Sequence, residues 1–131
     1  MNYRVLIVDD EPNIVTSLEF LMRGNEYDVQ VARNGEDALR LAASFRPNIV
    51  LLDVMMPQRS GFEVCRKIRE NPALGEVKIV MLTAKGRDVE RDRGLGLGAN
   101  AYVTKPFSTK ELMRTVRGLL HTAVRPDSSS G

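Results

Sequence analysis

Five side chains in this sequence could act together chemically: Asp9, Asp10, Asp53, Thr83 and Lys105. Each follows an apolar run, "RVLIV" before the two adjacent acids, "NIVLL" before Asp53, "KIVML" before Thr83 and "AYVT" before Lys105. Two neighbouring carboxylates repel each other unless a cation stands between them. With one His and one Cys in the whole chain, the donors are oxygens, which suit a hard cation and favour Mg²⁺ over zinc or copper. Mg²⁺ keeps waters and completes its shell with phosphate oxygens, so the set points to phosphoryl chemistry. A carboxylate in such a site can attack phosphorus and form an acyl phosphate. Asp53, alone on its run, is the candidate nucleophile, with Asp9 and Asp10 holding the metal. Lys105 and the Thr83 hydroxyl are then the groups that neutralise and hydrogen-bond the incoming phosphoryl oxygens.

Singly, an Asp after a strand is commonly a helix cap and a Lys is commonly solvated. The elements that carry these residues give the set its weight. The short runs rich in Val, Ile and Leu read as parallel strands covered on both faces, "DVQVA" reads as a strand nearer an edge, and "AYVT" is a fifth strand. Between them the apolar period becomes helical: Ile14, Val15, Leu18, Leu21 and Met22; Ala38, Leu41, Ala42 and Phe45; Val64, Cys65 and Ile68; Leu112, Val116, Leu119 and Leu120. Pro12 suits a first helical turn, Ser60 to Glu63 and Ser108 to Glu111 have capping-box spacing, and Gly24 is a helix stop. The segment Gly86 to Gly98, with four glycines and a dense charge run, reads as the least firmly held helix. Five strands alternating with five helical segments predict an α/β doubly wound parallel sheet between two helical layers. In such sheets the ligand crevice lies beyond the carboxyl ends of the strands, where all five candidate residues fall.

At 131 residues with 43% apolar content the chain is one domain, residues 1–124, followed by a flexible polar tail, residues 125–131. A net charge of +2 is too small to indicate direct nucleic-acid binding. The single Cys65 is expected to be a buried thiol, and His121 complements a helix C-terminus. No signal peptide and no membrane-spanning apolar run are read from the sequence, so a cytoplasmic protein without membrane contact is expected.

"VLIVDDEP", "IVLLDVMMPQRSG", "IVMLTA" and "GANAYVTKPF", in this order and spacing, resemble the receiver domain of two-component response regulators over roughly residues 3 to 121. The resemblance implies a flavodoxin-like fold with strand order 2-1-3-4-5. It also implies a signalling switch rather than an enzyme acting on external substrates, taking phosphate from a sensor histidine kinase or histidine phosphotransfer protein. Asp53 matches the phosphoacceptor, and Asp10 and Asp53 match the metal-binding carboxylates, with Asp9 acting nearby through water. The backbone carbonyl of Met55 matches the remaining protein ligand to Mg²⁺. Thr83 matches the hydroxyl that moves toward the phosphate, Lys105 the phosphate-contacting base and Tyr102 the aromatic switch. The Lys105–Pro106 bond matches one that is typically cis, a geometry accessible essentially only before proline. Phosphorylation would then shift the surface formed by the fourth helical segment, fifth strand and fifth helix to control a partner or output domain. A phosphorylation-dependent homodimer is a further implied partner, although Asn100 and Ala101 stand where many receivers carry acids that help tie such a dimer. Met55 and Lys85 occupy positions that vary in the family and tune phosphoryl lifetime, and Gln58 and Arg59, in the loop after Asp53, are unusual for it and are expected to contribute to partner choice.

Two other classes use some of the same residues. A Mg²⁺-dependent phosphohydrolase would need a substrate cap and would place its nucleophile after the first strand. A flavodoxin-type cofactor carrier would need a glycine-rich phosphate loop where this chain has "DDEPN". Neither accounts for Thr83, Lys105 and Pro106 together. The chain is expected to act either as a stand-alone receiver, the favoured reading, or as one domain of a longer regulator.

Overall fold

The computed structural model describes residues 2–56, 60–84 and 95–123. Along the chain run β1 (Arg4–Val8), α1 (Pro12–Gly24), β2 (Asp28–Ala32), α2 (Gly35–Phe45), β3 (Ile49–Asp53) and α3 (Gly61–Glu70). A 3₁₀ turn (Pro72–Leu74), β4 (Lys78–Ala84), β5 (Ala101–Lys105) and α4 (Thr109–Ala123) complete the order. The sheet is parallel throughout with order β2-β1-β3-β4-β5, the flavodoxin-like arrangement expected from the sequence. Four helices are described. The expected fourth helical segment, Gly86 to Gly98, lies mostly outside the described residues, as do Gln58, Arg59, Lys85 and the tail.

Side-chain alternation along the strands divides the core in two. Leu6, Val8, Val50, Leu52, Ile79 and Met81 join Ala38, Ala42, Val64, Cys65 and Ile68 of α2 and α3. Val5, Ile7, Ile49, Leu51, Val80 and Leu82 join Leu18 and Met22 of α1 and Leu112, Val116 and Leu120 of α4. Each fully buried Leu or Ile contributes about 1.5–3 kcal/mol, so the apolar layers, not the polar groups at the strand ends, hold the sheet together. β1 and β3 are buried along almost their whole length, which fixes the strands that carry the acids.

Helix starts follow their local signals. Pro12 opens α1, the Asn34 side chain accepts from Asp37 N at 2.8 Å to begin α2, Ser60 Oγ accepts from Glu63 N at 3.3 Å to begin α3, and Ser108 Oγ accepts from Glu111 N at 3.0 Å to begin α4. α1 does end at Gly24, but the left-handed residue that turns the chain is Glu26, at φ 65°. A glycine that does matter structurally is Gly61. Its N–H donates to Val54 O at 3.0 Å, and a Cβ added there would overlap the carbonyl oxygen of Asp53 and lie 2.9 Å from Val54 Cα. The chain leaving β3 and the chain starting α3 therefore touch backbone to backbone. Gly61→Ala is expected to destabilise the domain by about 1–3 kcal/mol, as overpacking against a backbone that cannot retreat does. An unchanged urea midpoint would contradict the contact.

Candidate functional site

The carboxyl ends of β1, β3 and β5 meet in an open cleft of about 540 Å³ lined by Asp10, Glu11, Ile14, Asp53, Met55, Ala84, Lys105 and Pro106. The parallel register brings these residues together: Val8 pairs with Leu52, Asp53 with Leu82 and Ala84 with Lys105, so the residues just past each pairing gather at one edge. Carboxylate oxygens of Asp9, Asp10 and Asp53 lie within 4.8 Å of one another. Asp9 and Asp53 are buried and Asp10 is exposed.

One ammonium group joins the two buried acids. Lys105 Nζ lies 2.9 Å from Asp9 Oδ2 and 3.2 Å from Asp53 Oδ1. The Glu11 N–H donates to Asp9 Oδ1 at 3.0 Å and the Met55 N–H donates to Asp53 Oδ1 at 3.2 Å. Burial first, and the charge of Asp9 second, push the Asp53 carboxyl up to about 6, against the opposing pull of Lys105 and the Met55 N–H. Burial alone would lower the pKa of Lys105. The hydrogen bond to Asp9 and the charges of Asp53 and Asp9 outweigh it and hold the ammonium above its usual value.

Asp10 has no ion pair and no side-chain hydrogen bond among the described residues, and neither does Asp53 Oδ2. Among the described residues the cluster thus carries three carboxylates against the one ammonium of Lys105, and Asp10 and Asp53 line the cleft. That oxygen-only donor set fits a hard divalent ion such as Mg²⁺.

Thr83 is buried at 3% exposure one residue beyond the Asp53–Leu82 pairing, level with Thr104, and does not line the cleft. Tyr102 stands apart from the acids, half-buried against the α2–α3 side of the core and level with Met81. The Lys105–Pro106 bond is cis, as expected. Cys65 is buried. Three contributors escape the sequence reading: Glu11, whose backbone holds Asp9, Ile14, which walls the cleft, and Gly61, which fixes the exit from β3. Gly61 had a signal, since the first position of a capped helix accepts almost any residue, and a glycine there calls for another reason. The two backbone and wall contributions leave no mark on residue type.

The family of response regulator receiver domains matches residues 5–117. The chain belongs to that family. Among solved structures, a Chloroflexus aurantiacus protein described as a response regulator is 35% identical with a TM-score of 0.89, covering 92% of this chain and 99% of its own. The chemotaxis protein CheY4 of Vibrio cholerae is 29% identical with a TM-score of 0.86, over 92% of this chain and 100% of that one. The receiver domain of the sensor histidine kinase PA1611 of Pseudomonas aeruginosa is 30% identical with a TM-score of 0.84, over 92% and 99%, and holds a magnesium ion in its active-site cleft. A receiver domain is a signalling switch. No described helix of this one is long and apolar enough to cross a membrane.

The raised Asp53 pKa makes a testable statement about stability. A carboxyl pushed up to about 6 in the folded chain, from an ordinary 3.8, holds its proton more tightly when folded. Its ionisation therefore disfavours folding. The cost is absent below pH 3.8, grows up to about pH 6 and is complete above it. Asp53→Asn, which leaves Lys105 bonded to Asp9, is expected to raise the urea midpoint in chelator at pH 8, with the gain fading toward pH 4. A gain that is the same at both pH values would contradict this origin.

Proposed function

We propose that this receiver domain accepts a phosphoryl group on Asp53 from the phosphohistidine of a sensor histidine kinase or a histidine phosphotransfer protein. The observation that carries this is Asp53 itself: a buried carboxylate at the end of a central strand, opening onto a cleft and held between a second buried acid and a lysine. An Asp53 oxygen attacks phosphorus, the P–O bond forms as the P–N bond breaks, and the imidazole leaves with the bonding pair and takes up a proton. Lys105, already bonded to both buried acids, stays charged and stabilises the negative charge on the transferred group. Asp10, Asp53 and the Met55 carbonyl would hold Mg²⁺, with Asp9 beside them. When bound, Mg²⁺ offsets the repulsion among the acids and attracts the phosphoryl oxygens.

The switch reading rests on placement. A phosphoryl group on Asp53 offers new acceptors to the Thr83 hydroxyl, one residue beyond its pairing partner on β4. Thr83 turning that way leaves room for Tyr102 on the neighbouring strand, and the face built on the fourth helical segment, β5 and α4 shifts with it. The phosphoryl group biases two existing arrangements by its differential contacts with each.

Incubation with Mg²⁺ and acetyl phosphate is expected to add one phosphoryl mass, mapped to Asp53 and lost in Asp53→Asn; intact-mass spectrometry that finds no gain, or a gain surviving the substitution, would overturn the assignment. Calorimetry gives a second check: Asp10→Ala should weaken Mg²⁺ binding about tenfold or more while the melting temperature stays close to that of the parent. Unchanged affinity would remove Asp10 from the ligand set.

A further inference from the structure

A second polar network lies away from the acidic cleft, where the last turn of α3 meets residues 97–100, the segment leading into β5. Arg69 Nε donates to Gly98 O at 2.8 Å and Arg69 Nη2 donates to Asn100 Oδ1 at 2.7 Å. One turn earlier on the same face, Cys65 Sγ lies 3.8 Å from Leu97 O. Gly98 has φ +106°, and a Cβ added there would sit 2.8 Å from Arg69 Cγ, so the aliphatic stem of Arg69 fills the space a side chain would need. Asn100 also exchanges two hydrogen bonds of 2.8 Å with Ile79 at the start of β4. One oxygen, Asn100 Oδ1, thus receives hydrogens from β4 and from α3 at once.

Among the described residues Arg69 has no carboxylate partner, and burial pulls its pKa below the usual guanidinium value, opposed by the neighbouring Cys65 thiol. A half-buried cation held by neutral oxygens is anchored less strongly than one in a forked ion pair. The contact is therefore one that a modest force can break. Tyr102, two residues past Asn100, packs against the same apolar cluster as Cys65, Ile68, Leu97 and Ala99. Thr83, two residues past Met81 on β4, lies on that same face of the sheet, so a turn of the Tyr102 ring toward it rearranges a packing that Leu97 and Ala99 share.

We propose that Arg69 is a positioning residue of the switch, holding Gly98 and Asn100 against α3 so that the strand carrying Tyr102 favours its unphosphorylated setting. This rests on Asp53 being the phosphoacceptor and Tyr102 the moving aromatic, and it adds the element that sets the balance between the two arrangements. A contact made in one arrangement and loosened in the other shifts the equilibrium by its own differential strength.

The test titrates beryllofluoride, a phosphoryl mimic, at fixed Mg²⁺ into fluorotyrosine-labelled protein, following the Tyr102 ¹⁹F signal, which is identified by its loss in Tyr102→Phe. Arg69→Met keeps the stem and removes the donors, and is expected to tighten beryllofluoride binding by about fivefold or more. Asn100→Asp gives Arg69 a carboxylate partner while keeping the acceptor for Ile79, and is expected to weaken binding. Mg²⁺ affinity without beryllofluoride should not change in either variant. Arg69→Lys, with the charge but one donor point, should fall between parent and Met and serves if Arg69→Met does not fold. A lowered melting temperature with unchanged beryllofluoride affinity would make Arg69 a structural tie only, and shifts of the same sign in Arg69→Met and Asn100→Asp would equally overturn the proposal. If the parent protein itself binds no beryllofluoride and takes no phosphoryl group from acetyl phosphate, the phosphoacceptor assignment fails first and the role of Arg69 falls with it.

Discussion

Among the described residues, three carboxylates share one corner of this molecule with Lys105, and much of the surrounding structure serves to keep them there. Asp9 and Asp53 are buried, where an unpaired charge would be costly, and Lys105 reaches both. The pairing is incomplete: Asp53 still resists ionisation, and Asp10 meets no opposite charge among the described residues. An arrangement that remains short of positive charge is suited to receive a cation and, with it, an anion that brings its own oxygens. Function and local instability have the same source here.

The rest of the fold supplies the rigidity that this repulsion requires. β1 and β3 are sealed between two apolar layers, so the acids at their ends cannot separate by moving the backbone. Gly61 presses α3 against the peptide that follows β3, and the amides of Glu11 and Met55 orient one oxygen each of Asp9 and Asp53. These backbone donors cost no side-chain entropy when the site is used. β5, by contrast, is the edge strand, with only its central Val103 fully buried, and it carries both Lys105 and Tyr102. The acids thus stand at the ends of inner strands sealed on both faces, and Lys105 and Tyr102 on a less buried edge strand.

Strand limits followed closely from the apolar runs, and the sheet order from the family resemblance that the motifs carry. The runs Arg4–Val8 and Asp28–Ala32 became strands with the bounds their apolar pattern suggested, and β3, β4 and β5 extended by one or two residues into the polar ends. Caps at Ser60 and Ser108 were legible because a hydroxyl placed three residues before a carboxylate has one common use. The 3₁₀ turn at Pro72–Leu74 was not, because three residues carry no period. Glu26 and Arg46, both left-handed without being glycine, were also hidden: each is exposed and turns the chain just past a helix end, against its own preference.

The sequence by itself determined which residues could do chemistry and that they would lie beyond the same ends of neighbouring strands, since strand periodicity and the right-handed crossover leave few other arrangements. It also carried the family, through the order and spacing of four short motifs. Only the tertiary structure decided how the charges are shared: that Lys105 bridges Asp9 and Asp53 while Asp10 stays exposed, that Thr83 is buried near the end of β4, and that Arg69 ties α3 to the segment leading into β5. Those outcomes depend on distances between residues far apart in the chain, and Coulomb energies and hydrogen bonds change sharply over an ångström that no spacing in the sequence encodes.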